Sequence, residues 1–190
     1  ERMTPRDLVT HRSGLPRHDA IWYKSGANRK ELFQRLPYLE PNKDFRSLYQ
    51  YNNLMFMAAG CLVEHISGMS WEKFVSQRIL QPLQMKQTNF SIGDSLKSSD
   101  YALGYEIKNK TVRIAPFVNI DAMGPAGSMN SSVSDMTKWV LFQFNQGKIG
   151  KKKIISSGQL SEMHSPQMTI KEPVSYKETQ HRNYGMGWII

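Results

Sequence analysis

Cysteine is nearly missing from this chain: Cys61 stands alone among 190 residues. An internal disulfide and a cysteine-rich zinc site are therefore both excluded. Metal-type histidine spacing is absent as well, because His11, His18, His65, His164 and His181 are scattered and none pairs with another at i+4. The sequence contains neither a membrane-length apolar run nor a signal peptide. Gly-x-Ser-x-Gly does not occur, so the strand–turn–helix nucleophile elbow has no support. Lysine and arginine number 25 against 16 acidic residues, a formal charge of +9. These cations are dispersed, however, and the only run, Lys151-Lys152-Lys153 beside Gly150, reads as a solvated turn. Basic residues interleaved with aromatics, the footprint of RNA binding, are lacking, so no nucleic-acid partner is expected.

What is present is helix punctuation. Thr4-Pro5-Arg6-Asp7 offers an N-cap, a proline at the first helical position and an acid at the third, predicting a short helix to about Arg12. Asn28-Arg29-Lys30-Glu31 repeats the capping pattern for a helix to about Leu36. The main helix is predicted from about Asn52 to Ser67, stopping at Gly68. Its apolar residues, Leu54, Met55, Met57, Ala58, Cys61, Leu62 and Ile66, cover more than one stripe, so it should be central and mostly buried. Ser70 caps a further helix that Pro82 ends, and Ser132 opens another to about Phe144. Ala102 to Ile107 and Thr111 to Ile114 read as two strands about Lys108-Asn109-Lys110. A short helix is expected from Gln159 to His164, and a loop between Pro166 and Arg182. Tyr184 to Ile190 reads as a strand with no partner in view, whose sheet would continue outside the chain.

These phrases carry a resemblance when taken in order. Thr4 to Pro16, with His11-Arg12-Ser13-Gly14-Leu15-Pro16, resembles the "LLtHtSGLp" segment of the serine β-lactamase and penicillin-binding-protein-like family, in its class C branch. Tyr51-Asn52-Asn53 is similar to that family's Tyr-x-Asn motif, and Ala59-Gly60, Ile66-Ser67-Gly68 and Ile79 to Met85 follow as expected. Ala126-Gly127-Ser128-Met129 with Ser132, Asp135-Met136 and Trp139 resembles its "aGG…st..Dm..w" stretch, and Tyr184 to Trp188 its "YGlGw" strand opening. The resemblance implies an α+β fold, with residues 1–183 as the mainly helical region with a few short strands. Residues 184–190 would begin the C-terminal part of an antiparallel sheet, most of which would lie elsewhere. It also implies a serine hydrolase cleaving an amide or ester of a small molecule or peptide through an acyl-serine intermediate, without cofactor or metal. An extracytoplasmic setting in a bacterium follows from the same resemblance.

In that family three motifs are needed: Ser-x-x-Lys, Tyr-x-Asn and a Lys- or His-Thr-Gly strand. The resemblance puts the first before residue 1 and the third after residue 190. The chain alone is therefore expected to carry a third of the site and to be inactive. A serine hydroxyl needs a neighbouring base to accept its proton, and a lysine–tyrosine pair out of bulk water can serve. The resemblance assigns proton relay to Tyr51. Asn53, with an amide donor and acceptor, would hold the lysine and the substrate carbonyl side. Gly124, Ala126, Gly127 and Ser128 either line the substrate pocket or only shape a turn. His11, Tyr49 and Asn52 are read as structural, and Cys61 as an inert thiol. Ser70-Trp71-Glu72-Lys73 spells Ser-x-x-Lys but follows the tyrosine motif and has a cap to provide. Lys24-Ser25-Gly26 imitates the third motif from within a loop. The alternative function is a catalytically inactive binding or regulatory module on the same fold.

Overall fold

Thr4 opens α1, Pro5–Leu8, through a reciprocal capping box with Asp7 in the computed structural model, which describes residues 2–171 and 182–190. The helix is a turn shorter than expected. Thr10 returns its hydroxyl to the Arg6 carbonyl, and His11 takes a left-handed backbone (φ 56°), which ends helical propagation before Arg12. Asn28 and Glu31 form a second capping box for α2, Arg29–Arg35. Asn52 caps α3, Asn53–Ser67, and Gly68 closes it at φ 67°.

The N-terminal two-thirds of α3 forms the first core. Leu54, Met55 and Met57 pack with Leu15, Leu32 and Met123. Ala58 and Gly60 are buried too, whereas Cys61 and Leu62 are half-buried and Ile66 is 75% exposed. The expectation of a central, mostly buried helix holds over this part, and Ile66, counted among its apolar positions, is the exception. The cause is packing: α1, α2, the next helix at Trp71–Val75 and the later helical turn at Gly124 contact α3, and among the described residues this packing leaves Ile66 uncovered.

Ser70 caps α4, Trp71–Val75, which runs into a wider π turn over Ser76–Leu80 before Pro82. After α5, Ile92–Ser95, come β1, Tyr105–Lys108, and β2, Thr111–Ile114. These pair antiparallel about Asn109 and Lys110, both at positive φ, as a tight hairpin requires. A 3-10 turn at Asp121–Met123 leads into α6, Gly124–Gly127, so the glycine-rich stretch is a helical turn with Pro125 near its start. Ser132 caps α7, Val133–Phe144, as predicted. Around α4 and α7 lies a second core of Val75, Leu80, Leu83, Met85 and Phe142, edged by Trp71 and Trp139.

The lysine triplet is surface, as read, although Lys152–Lys153 (β4) pairs with Lys148–Ile149 (β3) in a two-residue ladder. Ser156 caps α8, Ser157–Met163. Two corrections concern the C-terminal part. Met168–Ile170 forms β5, inside the span expected to be loop, while 172–181 of that span lies outside the described residues. The terminal strand also has a partner: β6, Arg182–Tyr184, pairs antiparallel with β5, and Tyr184 makes a further bridge to Ile189 across Gly185 to Trp188. The strand is thus shorter than Tyr184–Ile190 and starts two residues earlier. The fold is α+β, mainly helical, with three two-stranded sheets among the described residues.

Candidate active site

The chain entering α3 is held from below by the turn after α1. Gln50 donates its backbone N–H to the His11 carbonyl at 2.8 Å, and Asn52 donates its own to His11 Nδ1 at 3.0 Å. Asn52 is fully buried. Its amide nitrogen donates to the carbonyls of Leu15 and Pro16, and its Oδ1 accepts from the Met55 N–H. Every hydrogen-bonding atom of that amide is used, so Asn52 is a structural cap, as the residues suggested. With Asn52 turned inward on extended backbone, its neighbours keep access: Tyr51 is 37% exposed and Asn53 half-buried.

Tyr51 sits at the edge of an aromatic cluster. Its ring lies 4.5 Å from that of His11, and the Arg17 guanidinium carbon lies 5.1 Å from its centroid. His11 is further enclosed by Tyr49, Phe56 and Tyr184, at 5.5, 4.9 and 4.7 Å between ring centroids. Burial holds the imidazole neutral, and the Arg17 cation adds to this, bringing its pKa down to about 4. Burial likewise pushes the Tyr184 phenol well above the ordinary tyrosine value. Tyr184 therefore carries β6 to the head of α3, a connection sequence reading missed. Arg17 was missed as well: its one signal was a cation just past the Gly-Leu-Pro turn.

The floor beneath this cluster is ionic. Asp7, with no exposed surface, accepts from Arg12 Nε at 2.6 Å and from Arg46 Nη2 at 2.9 Å, as well as from Thr4. The Arg46 guanidinium and these other donors hold its carboxyl far below the usual carboxylate range. Asp7 was legible only as a cap; its second task needs Arg46, 39 residues away.

The four candidate pocket residues lie further along α3. Gly60 packs against Pro125 so closely that a Cβ there would fall 2.1 Å from the proline ring. Gly60 is seven positions beyond Asn53, or roughly 10 Å along the axis. Gly124 is buried, and a Cβ on it would meet Arg29 at 2.6 Å; its close approach is to the protein's own side chain. Arg29 donates to the Asp121 and Ala122 carbonyls and pairs with Glu64 and Glu72, so it fastens this segment to α2, α3 and α4. Ser128 is buried and donates its hydroxyl to the Phe90 carbonyl at 2.7 Å, while Ala126 packs on the first core. Gly127 alone is exposed, with open space about its Cα.

The two sequence mimics have local duties. Ser70 Oγ accepts the Lys73 N–H as the α4 cap, beyond the far end of α3 from Tyr51. The 15 residues of α3 put about 22 Å between those ends. Lys24-Ser25-Gly26 is an exposed turn in which Ser25 donates to the Trp22 carbonyl. Cys61 is half-buried, and burial raises its thiol pKa, which suits an unreactive side chain.

This geometry meets a family pattern along its whole length: the Beta-lactamase family profile matches residues 1–190. The chain belongs to the Beta-lactamase family. Among its relatives, the unguisins hydrolase ungD' of Aspergillus campestris is 30% identical over 145 residues, covering 72% of this chain and 27% of that protein. Protein flp of Staphylococcus aureus (strain MW2) is 27% identical over 154 residues, 76% of this chain and 30% of its own length. In fold, the octameric penicillin-binding protein homologue of Pyrococcus abyssi superposes with a TM-score of 0.78 at 22% identity, over 100% of this chain and 43% of that one. The D-amino acid amidase of Ochrobactrum anthropi SV3 gives 0.72 at 21% identity, over 98% and 54%. This Beta-lactamase-family chain thus spans under a third of these curated relatives and about half of these solved structures. None of its described helices is long and apolar enough to cross a membrane.

Proposed function

We propose that this chain supplies the Tyr-x-Asn part of a serine hydrolase that cleaves an amide or ester bond of a small molecule or peptide. The reading rests on one observation. Tyr51 and Asn53 stay accessible at the head of α3, while the residue between them is wholly occupied in holding that segment and the histidine beneath accepts the backbone N–H groups on either side of Tyr51. In the reaction, a serine oxygen supplied from outside residues 1–190 attacks the substrate carbonyl. Its proton passes toward the Tyr51–lysine pair and on to the leaving amine or alcohol. Water then attacks the acyl-serine ester, returns a proton by the same route and releases the acid. Asn53 holds the lysine and the carbonyl side of the substrate, and Gly127 is the exposed residue of the 124–128 segment through which that segment would meet it. Membership in the Beta-lactamase family and the unguisins hydrolase among its relatives support the hydrolase class, and the D-amino acid amidase that shares the fold fits an amide substrate.

The test is Tyr51→Phe in a longer polypeptide carrying this chain, assayed on nitrophenyl esters, a chromogenic β-lactam and D-amino-acid amides. Turnover falls at least about 100-fold, on the usual scale of acid–base catalysis. Rates equal to the parent would remove Tyr51 from the mechanism. The 190-residue chain alone shows no turnover; steady hydrolysis lost on Ser70→Ala would overturn the assignment of Ser70 as a cap only.

A further inference from the structure

His11 contributes more than its bulk to the head of α3. It is 1% exposed, and its two polar functions on the Tyr51 side are both engaged: the carbonyl accepts from Gln50 N–H and Nδ1 accepts from Asn52 N–H. These two donors flank Tyr51 on either side, and the imidazole lies against the Tyr51 ring. We infer that His11 is the positioning residue for Tyr51, clamping the backbone on both sides of it and seating its ring, and that the clamp works only with a neutral imidazole protonated on Nε2. This rests on the reading of Tyr51 as the proton-transfer residue.

The tautomer follows from the bond. Nδ1 accepts a backbone N–H and so carries no hydrogen; the neutral ring then has its proton on Nε2. Nε2 is buried without a hydrogen-bond partner among the described residues, inside the enclosure of Tyr49, Tyr51, Phe56 and Tyr184. The charged and titratable groups around the ring are the Arg17 guanidinium from the turn after α1, the Tyr49 and Tyr51 phenols before α3, and the Tyr184 phenol of β6. Burial and the Arg17 cation both oppose an imidazolium, and no carboxylate is among these groups. A second proton would enter on Nδ1 and meet the Asn52 N–H donor to donor, so acid opens the clamp. Both effects, burial and Arg17, push that event down to about pH 4. The left-handed backbone at residue 11 adds a useful constraint: asparagine tolerates that conformation, and its Oδ1 can stand where Nδ1 accepts.

The experiment is NMR on the 190-residue chain with isotope-labelled histidine and tyrosine, recorded from pH 8 to pH 3.5 and compared with His11→Asn and His11→Phe. We expect His11 to be unprotonated at Nδ1 and protonated at Nε2 at neutral pH. The Tyr51 ring signals should move with the His11 transition near pH 4. His11→Asn moves the Tyr51 signals once, through loss of the imidazole ring, and abolishes their acid transition. His11→Phe, which retains a ring but no acceptor, displaces them at every pH. A proton on Nδ1, a Tyr51 transition that survives in His11→Asn, or unmoved Tyr51 signals in His11→Phe would each overturn the inference. So would loss of folding in both variants, because a core-filling role would then suffice. If only His11→Phe fails to fold, the His11→Asn result decides. These readouts involve no turnover, so they stand or fall separately from the Tyr51→Phe assay.

Discussion

The ground beneath α3 and the hairpin β1–β2 are built against their compositions. Around α1 and the head of α3, Asp7, Thr10, His11, Ser13 and Asn52 are all buried. In the hairpin all eight strand residues are exposed, including Tyr105, Ile107, Val112 and Ile114, which the cross-strand register places on one face. Polar side chains thus lie inside and an apolar stripe lies outside. Hydrophobicity alone would predict the reverse. The buried polar groups are tolerated because they find partners: two arginines for Asp7, two carbonyls and a helical N–H for Asn52. The hairpin has the alternation of a half-covered strand pair but no described element over its face.

The sharpest way to break this comparison is to remove a satisfied group from the first region. Asp7→Ala leaves Arg12 and Arg46 without their shared carboxylate and should destabilise the chain by roughly 3–5 kcal/mol in chemical denaturation. A loss under about 1 kcal/mol would mean that the buried pair contributes little beyond a surface pair.

Acid should separate the two buried titrating groups. His11 is held neutral in the folded state, so below about pH 6.5 the unfolded chain takes up a proton that the folded chain refuses. Stability then falls by about 3 kcal/mol between about pH 6.5 and 4 and levels off there. Asp7 acts in the same direction over a lower range of pH. Its depressed pKa contributes stability in full above the ordinary carboxylate range and loses it as pH falls below about 4. Denaturation midpoints across pH should show both phases, with His11→Asn removing the upper and Asp7→Asn the lower.

Gly60→Ala tests the packing of α6 on α3 and should cost about 1–3 kcal/mol, as overpacking does. Helix propensity acts the other way, by up to about 1 kcal/mol. Pro125→Ala in the same chain should recover part of the loss, since Pro125 is what the new methyl meets. The smallest effect belongs to the second region. Ile107→Thr with Val112→Thr should move stability by no more than about 0.5 kcal/mol each, as solvent-facing positions do. A larger loss would show that the hairpin face is covered in solution.

Legibility divided along the same line. The capping boxes at Thr4 and Asn28, the Asn52 and Ser132 caps and the Gly68 stop were all readable, because each depends on residues within four positions. Family order singled out Tyr51 and Asn53, and alternation marked the hairpin. Strand β5 was not readable: its hydrogen bonds go to β6, and Met168-Thr169-Ile170 is too short to announce itself. Arg29 looked like an ordinary first-turn residue, although it fastens a segment more than 90 positions away.

Chain-local chemistry was enough to say where helices start and stop, that no disulfide can form within residues 1–190, and which family phrases follow one another. Burial of Asp7 and His11, exposure of Ile66 and of the hairpin, and the meeting of Tyr184 with Tyr51's neighbours came from long-range packing. A cap is a contract among adjacent residues, written in their order. Whether a polar group can leave water depends on partners that arrive from distant parts of the chain, and no short stretch records them.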